Sequence, residues 1–142
     1  MLALDVGQKR IGMAVSDSLL ISITRLAALR RTSWKQLLRD VADLAQRFDA
    51  QTVVIGFPLG LAGDRGPAAE QVAEVARKFA KSLNIPVYLQ DERLSTVAAS
   101  ERLRSQGLAK EELAARIDSE SAAIILEDFL GEQQDRVLVK AD

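Results

Sequence analysis

The chain has 142 residues, 48% of them hydrophobic and 27% charged, which predicts one globular domain over residues 1–142. The chain has no cysteine, which excludes disulfides and thiolate catalysis. It has no histidine either, which excludes serine–histidine catalysis and removes the commonest zinc ligand. Any catalysis would therefore use carboxylates, lysines, hydroxyls or a metal held by oxygen ligands. The net charge of −1 means that any nucleic-acid binding would depend on a local basic patch. Because the sequence shows no long apolar run and no signal peptide, we expect no membrane association and a cytoplasmic location.

Two strand-like runs open the chain, at residues 2–6 and 10–17, and the three residues between them predict a β-hairpin. Both faces of each run carry apolar or small side chains, so we expect the hairpin to be covered on both sides. Asp5 is the exception, because it places a carboxylate inside the first run. Residues 19–29 are compatible with a third strand.

Helices and strands alternate through the rest of the chain. The pattern predicts a helix over 33–48 capped by Ser33, a strand over 52–57, a helix beginning at Pro67, a strand over 85–90, and helices over 96–106 and 118–130. Residues 107–116 are compatible with a turn, a short helix or a loop, and the last residues with a short strand or a tail. Strand–helix–strand crossovers imply parallel pairing of the later strands, so we predict an α/β sandwich with a mixed central sheet and helices on both faces.

Acidic residues at three separated places are the candidates for chemistry. Asp5 would need a cationic partner, a metal or an altered protonation state if it is buried, although it could instead face solvent at a strand end. Asp118 falls on the apolar stripe of the last predicted helix, at its N-terminal end, where it could also be an N-cap. Asp91 and Glu92 end a buried strand, and only one of them can face a given site because adjacent strand residues point to opposite faces.

A cluster of Asp5, Glu92 and Asp118 would suit Mg²⁺ or Mn²⁺, since both ions prefer oxygen ligands. Two such ions can activate a water and stabilise the leaving oxygen in phosphodiester hydrolysis without a histidine base. The three acids are therefore candidates for a metal site of this kind.

Basic residues near the acids are candidates for phosphate binding. They are Lys9, Arg10, Arg65 and Arg93. Each could hold a backbone phosphate or could be an ordinary solvated charge. Arg30, Arg31, Lys35 and Arg39 form a second group, which could follow a nucleic-acid backbone or could be a charged helix face. The chain has one Trp and one Tyr, so we expect recognition of backbone and shape more than stacking on bases.

Four segments resemble, in order, the sequence blocks of the YqgF family, also called RuvX: LALDVGQKRIGMAVSD, VVIGFPLGLAGDRGPAAEQV, LQDERLSTVAASERL and IDSESAAIILEDFL. The resemblance implies an RNase H-like three-layer fold and a divalent-metal nuclease whose acids are Asp5, Glu92 and Asp118. The family is associated in bacteria with maturation of the 5′ end of 16S ribosomal RNA and with Holliday-junction resolution. It therefore implies pre-16S rRNA or branched DNA as a partner, and a two-fold homodimer if the substrate is a junction.

Two other functions stay open at this point. The segment LALDVGQKRIGMAV also resembles the first phosphate loop of the actin and sugar-kinase ATPases, which would make the protein a nucleotide-phosphate-binding module. Those enzymes clamp nucleotide between two domains, however, and 142 residues predict one. A non-catalytic nucleic-acid-binding module is the third function, but clustered acids argue against it because a pure phosphate binder gains nothing from negative charge.

Overall fold

The computed structural model describes residues 1–17, 22–58, 65–91, 95–131 and 136–139. The elements in this part of the chain are β1 (Leu2–Val6), β2 (Arg10–Ser16), β3 (Ile23–Arg30), α1 (Trp34–Arg47), β4 (Val53–Phe57), α2 (Pro67–Ser82), β5 (Val87–Asp91), α3 (Ser95–Ser105), α4 (Lys110–Gly131) and β6 (Arg136–Leu138). No helix among these residues is long and apolar enough to cross a membrane.

The strands form one mixed sheet with the order β3-β2-β1-β4-β5-β6. Neighbouring strands are antiparallel from β1 to β3, parallel from β1 through β4 to β5, and antiparallel between β5 and β6. The predicted hairpin is confirmed, and its turn is closed by the Gly7 N–H, which donates to the Arg10 carbonyl at 3.0 Å. A Cβ at Gly7 would lie 2.7 Å from that same oxygen, so the tight turn requires glycine.

Helices cover both faces of the sheet, which confirms the predicted three-layer sandwich. On one face Leu4 and Ile55 belong to a core shared with α1 and α2. On the other face the small and β-branched side chains of the central strands pack against α4, in a cluster of Ala3, Val54, Ile125, Leu126 and Phe129. The alternation predicted for β1 is therefore observed, with Leu2 and Leu4 on the first face and Ala3 on the second.

Helix starts agree with the local signals in two of the helices. The Ser33 hydroxyl accepts a hydrogen bond from the Gln36 N–H at 3.2 Å, as an N-cap does. Pro67 occupies the first turn of α2, where its missing N–H costs no hydrogen bond.

The beginning of the last helix differs from the prediction. α4 starts at Lys110, so Asp118 lies eight residues inside a continuous helix and is not its N-cap. The ambiguous segment 107–116 contains Gly107, which has a φ of +74° after the end of α3, and then the first turns of α4. Glu111 and Glu112 in the first turn are exposed, so this part of α4 lacks the apolar stripe by which a helix is recognised.

Candidate functional site

Asp5 is half-buried in β1, near the middle of the sheet. Its partner across the antiparallel pair with β2 is Gly12. Extending the β1–β4 register by one residue places Asp5 beside Gly56, whose partner on β5 is Gln90. Residues directly opposite one another in neighbouring strands point to the same face, so these four positions form a row on the α4 face of the sheet.

Asp118 is carried to this row by an unusually close helix–strand contact. A Cβ built on Gly12 would lie 2.0 Å from the Asp118 carbonyl oxygen and 2.4 Å from its carbonyl carbon. No other residue fits at this position without moving the helix, because a side chain would meet backbone atoms. The contact brings two of the three predicted acids, Asp5 and Asp118, to the same face of the sheet.

Among the residues that the structure describes, Arg10 contacts the Asp118 carboxylate. The Arg10 Nε donates to Asp118 Oδ2 at 2.9 Å, and Arg10 reaches it from β2, two residues before Gly12. The Arg10 side chain is 59% exposed and that of Asp118 is 26% exposed. An exposed ion pair of this kind is weak, so another cation can replace the arginine.

Glu92 and Arg93, the other predicted residues of this region, lie outside the described residues. The neighbouring Asp91 is described, and strand alternation places it on the same face as Leu89, which packs against the α1–α2 core. Asp91 is therefore on the side of the sheet opposite to Asp5 and Asp118. Within the part of the chain that the structure describes, no three acidic side chains form a metal-holding group, so the three-acid cluster stays a prediction.

Gln90 is a polar residue of the site that the sequence did not single out. Its side chain is 1% exposed, and its Oε1 has no hydrogen-bond partner among the described residues. A buried acceptor without a partner loses its hydration without compensation, so it is uncommon and marks a place that a ligand can use. The only sequence signal is a glutamine at an inward-facing position of a buried strand.

The described basic residues among the phosphate-binding candidates lie in two separate places. Gln8, Lys9, Arg10, Arg30 and Arg31 line a pocket of about 490 Å³ beside the β1–β2 turn. Arg65 is placed elsewhere, at the beginning of α2, where its Nε contacts Glu70 Oε1 at 3.0 Å and its guanidinium lies 5.1 Å from the centre of the Phe57 ring.

A second group of charges lies two residues along α4 from Asp118. Glu120 accepts hydrogen bonds from Arg25 of β3 and Arg102 of α3, and Arg102 also donates to Glu127. The hydrogen bonds from Arg25, and then those from Arg102, hold the pKa of the Glu120 carboxyl below its usual range, against the opposing effect of burial. The same contacts raise the pKa of both arginines. This network was not foreseen, because its members come from three elements far apart in the chain.

Solved structures and curated relatives define the class of protein. A Thermus thermophilus RuvC structure resembles the chain with a TM-score of 0.54 at 12% identity, covering 97% of this chain and 99% of its own. T. thermophilus RuvC in complex with a Holliday junction substrate gives a TM-score of 0.51 at 15% identity, covering 92% and 96%. The chain therefore has the RNase H-like fold of those resolvases, with two acids on its central face.

Residues 1–132 match the family model described as "RuvX: Holliday junction resolvase", and the chain belongs to the RuvX family. Curated relatives named "Putative pre-16S rRNA nuclease" agree with this. One from Anaeromyxobacter sp. is 38% identical over 129 residues, covering 91% of this chain and 94% of the relative. Another, from Chloroflexus aurantiacus, is 40% identical over 129 residues, covering 91% and 84%. The family resemblance predicted from the four sequence blocks is confirmed.

Proposed function

We propose that this protein is a divalent-metal-dependent endonuclease that hydrolyses phosphodiester bonds in structured nucleic acid. The observation that carries the proposal is the contact of α4 with Gly12, which places Asp118 over the strand row that contains Asp5. Two carboxylates 113 residues apart in sequence thus share one face of the sheet. The family model described as a resolvase and the relatives named as nucleases support the same activity.

The chemistry of the donor set fits Mg²⁺ or Mn²⁺. Asp5 and Asp118 would supply hard carboxylate oxygens. The Gln90 amide oxygen, which has no hydrogen-bond partner among the described residues, lies in the same row as Asp5. We propose Glu92 as the third acid, because Asp91 lies on the opposite face and adjacent strand residues alternate. The metal, when bound, would supply an activated water and charge stabilisation at the leaving oxygen.

The protein's own residues hold this site in place. Asp5 is fixed by a central strand and Asp118 by a long helix, and carboxylates on such rigid elements need little rearrangement to bind an ion. Lys9, Arg10, Arg65 and Arg93 are the proposed phosphate-binding residues. Arg10 has a second role, because it forms an ion pair with Asp118 that a bound metal would replace.

We propose that the substrate is either pre-16S rRNA or branched DNA, and that the protein contacts it mainly through the phosphodiester backbone. The names of the curated relatives refer to pre-16S rRNA, and the description of the family model refers to the Holliday junction. Cleavage of a four-way DNA junction and of a 16S precursor RNA, measured side by side with Mn²⁺, Mg²⁺ or EDTA, tests both. If the junction is cut, we expect a two-fold homodimer, because a junction presents two equivalent strands to be cleaved.

The decisive variants are Asp5→Asn and Asp118→Asn. We expect each to lose metal-dependent cleavage by about a thousandfold, since the metal contributes several kcal/mol of transition-state stabilisation. Asp43→Asn, at an exposed position of α1, is the matched control and should cleave normally. Full activity in both active-site variants would contradict the proposal. Metal-independent binding without any cleavage would favour a non-catalytic nucleic-acid-binding protein.

A further inference from the structure

The pocket beside the β1–β2 turn has the properties of an anion site. Four of the five described residues that line it are cationic, and none of the five is acidic. The whole chain has a net charge of −1, so this concentration of positive charge is local. A surface of this kind attracts phosphate groups through charge and through multiple N–H donors.

Two of the arginines are placed where they repel each other. Arg10 of β2 and Arg30 of β3 are directly opposite across an antiparallel pair, so both side chains start from the same face of the sheet. Like-charged side chains directly opposite one another destabilise a sheet, and the ion pair with Asp118 compensates only the charge of Arg10. An anion between the two guanidinium groups would turn this repulsion into attraction.

Arg31 is held in position by the turn. Its backbone N–H donates to the Lys9 carbonyl at 2.9 Å, and its Nη1 donates to the Gly7 carbonyl at 3.0 Å. A guanidinium has five N–H donors, and the bond to Gly7 uses one of them. The positive charge of Arg31 is thus fixed at the pocket before any ligand arrives, which lowers the entropic cost of binding.

Arg10 joins the pocket to the pair of acids. Its Nε is bonded to Asp118, whereas its two Nη groups are on the outer edge of the same guanidinium. One arginine therefore separates the candidate metal-binding acids from the pocket.

We propose that Lys9, Arg10, Arg30 and Arg31 form a phosphodiester subsite that holds a backbone phosphate flanking the one to be cleaved. Arg30 and Arg31 add to the proposed nuclease site a pair of residues that position the substrate and do not touch the reacting atoms. The inference rests on the proposed function, because it takes the substrate to be a nucleic acid. Contacts to phosphate carry no base information, so this subsite would set register and affinity and not sequence preference.

The test is nucleic-acid affinity measured in EDTA, where cleavage cannot occur. Fluorescein-labelled four-way DNA junction and hairpin RNA are titrated with the full-length wild type and with Arg30→Gln/Arg31→Gln at several KCl concentrations. We expect the double variant to bind about tenfold more weakly at 0.1 M KCl, with the slope of log Kd against log salt reduced by about one to two. Arg47→Gln, which removes the same charge at the far end of α1, should bind within twofold of the wild type.

Controls keep a loss of folding from being mistaken for a loss of binding. Arg30→Gln leaves both anchoring bonds of Arg31 intact and should still weaken binding about threefold, while Arg30→Lys should restore most of it. Equal affinity of the wild type and Arg30→Gln would overturn the subsite. Cleavage by the wild type with Mn²⁺, and its loss in Asp118→Asn, tests the nuclease function separately. Failure of the wild type to bind either nucleic acid would overturn both proposals.

Discussion

Two acids of α4, only two residues apart, have contrasting surroundings. The Asp118 side chain is 26% exposed, and its ion-pair partner among the described residues is the exposed Arg10. The Glu120 side chain is 4% exposed and accepts three hydrogen bonds from Arg25 and Arg102. Successive helix residues are turned by about 100°, so the two acids face different neighbours. A carboxylate surrounded by donors serves the fold, whereas one held by a single replaceable cation is available to a ligand.

The difference is also one of energy. The Glu120 carboxylate is buried, whereas Arg25 and Arg102 are 40% and 36% exposed and keep contact with water. Losing the hydrogen bonds of such a charged group costs about 1.5–3 kcal/mol. An exposed pair contributes about 0–1 kcal/mol, because water and salt screen it. We therefore expect substitutions at Glu120 to change stability, and substitutions at Asp118 and Arg10 to change activity and metal binding.

The largest effect on stability is expected from Glu120→Gln. The amide keeps the shape of the side chain but removes the charge that two arginines share, and we expect the free energy of unfolding to fall by about 2 kcal/mol. Denaturant unfolding measures this, with Glu74→Gln at an exposed position of α2 as control, for which we expect a change below about 0.5 kcal/mol. Equal stability of the two variants would show that the network is not structural.

Gly12→Ala should have the next largest effect on stability, and it should also affect cleavage. The new Cβ would overlap the Asp118 carbonyl, so α4 must shift away from β2, at a cost of about 1–3 kcal/mol in stability. The shift would also move Asp118 relative to Asp5, so we expect cleavage to fall by about a hundredfold, as misplacement of catalytic groups commonly causes. Gly131→Ala, where a Cβ meets nothing within 4 Å, is the matched control. Normal cleavage by Gly12→Ala would contradict the role given to this contact.

Acid should weaken the Glu120 network specifically. The folded-state pKa of Glu120 lies below its ordinary value of 4.5, so its contribution to stability is complete above about pH 4.5 and is lost as the pH falls through the folded-state pKa. The charged groups that face it are Arg25 from β3, Arg102 from α3 and Glu127 on its own helix. Unfolding of wild type and Glu120→Gln at pH 6, 5, 4 and 3 should give a stability difference that narrows below pH 4.5. A constant difference would count against this assignment.

The smallest effect is expected from Arg10→Gln. Removing the competing cation should strengthen Mn²⁺ binding by up to about fivefold without nucleic acid, which corresponds to the roughly 1 kcal/mol of an exposed ion pair. Calorimetric titration with Mn²⁺ measures this, and Asp118→Asn should weaken binding in the same assay. Weaker Mn²⁺ binding by Arg10→Gln would mean that the arginine supports the metal site and does not compete for it.

Local patterns in the sequence were sufficient for most of the fold. The alternation of Leu2, Ala3 and Leu4 predicted which side of β1 faces which helix layer, and Ser33 and Pro67 marked two helix starts. These features depend on residues within a few positions of one another, so they are visible in the chain itself. The predicted start of the last helix was wrong, because Glu111 and Glu112 in the first turn of α4 are exposed and give no apolar periodicity.

The sequence also determined that Asp5 is the unusual residue of β1 and that histidine and cysteine chemistry is excluded, since composition does not depend on packing. Only the tertiary structure decided that Asp118 lies over Gly12 and that Arg10 forms an ion pair with it. The tertiary structure also decided that the buried Gln90 Oε1 has no partner among the described residues and that Glu120 belongs to a structural network. Each of these depends on contacts between elements distant in the chain, which local propensities do not encode.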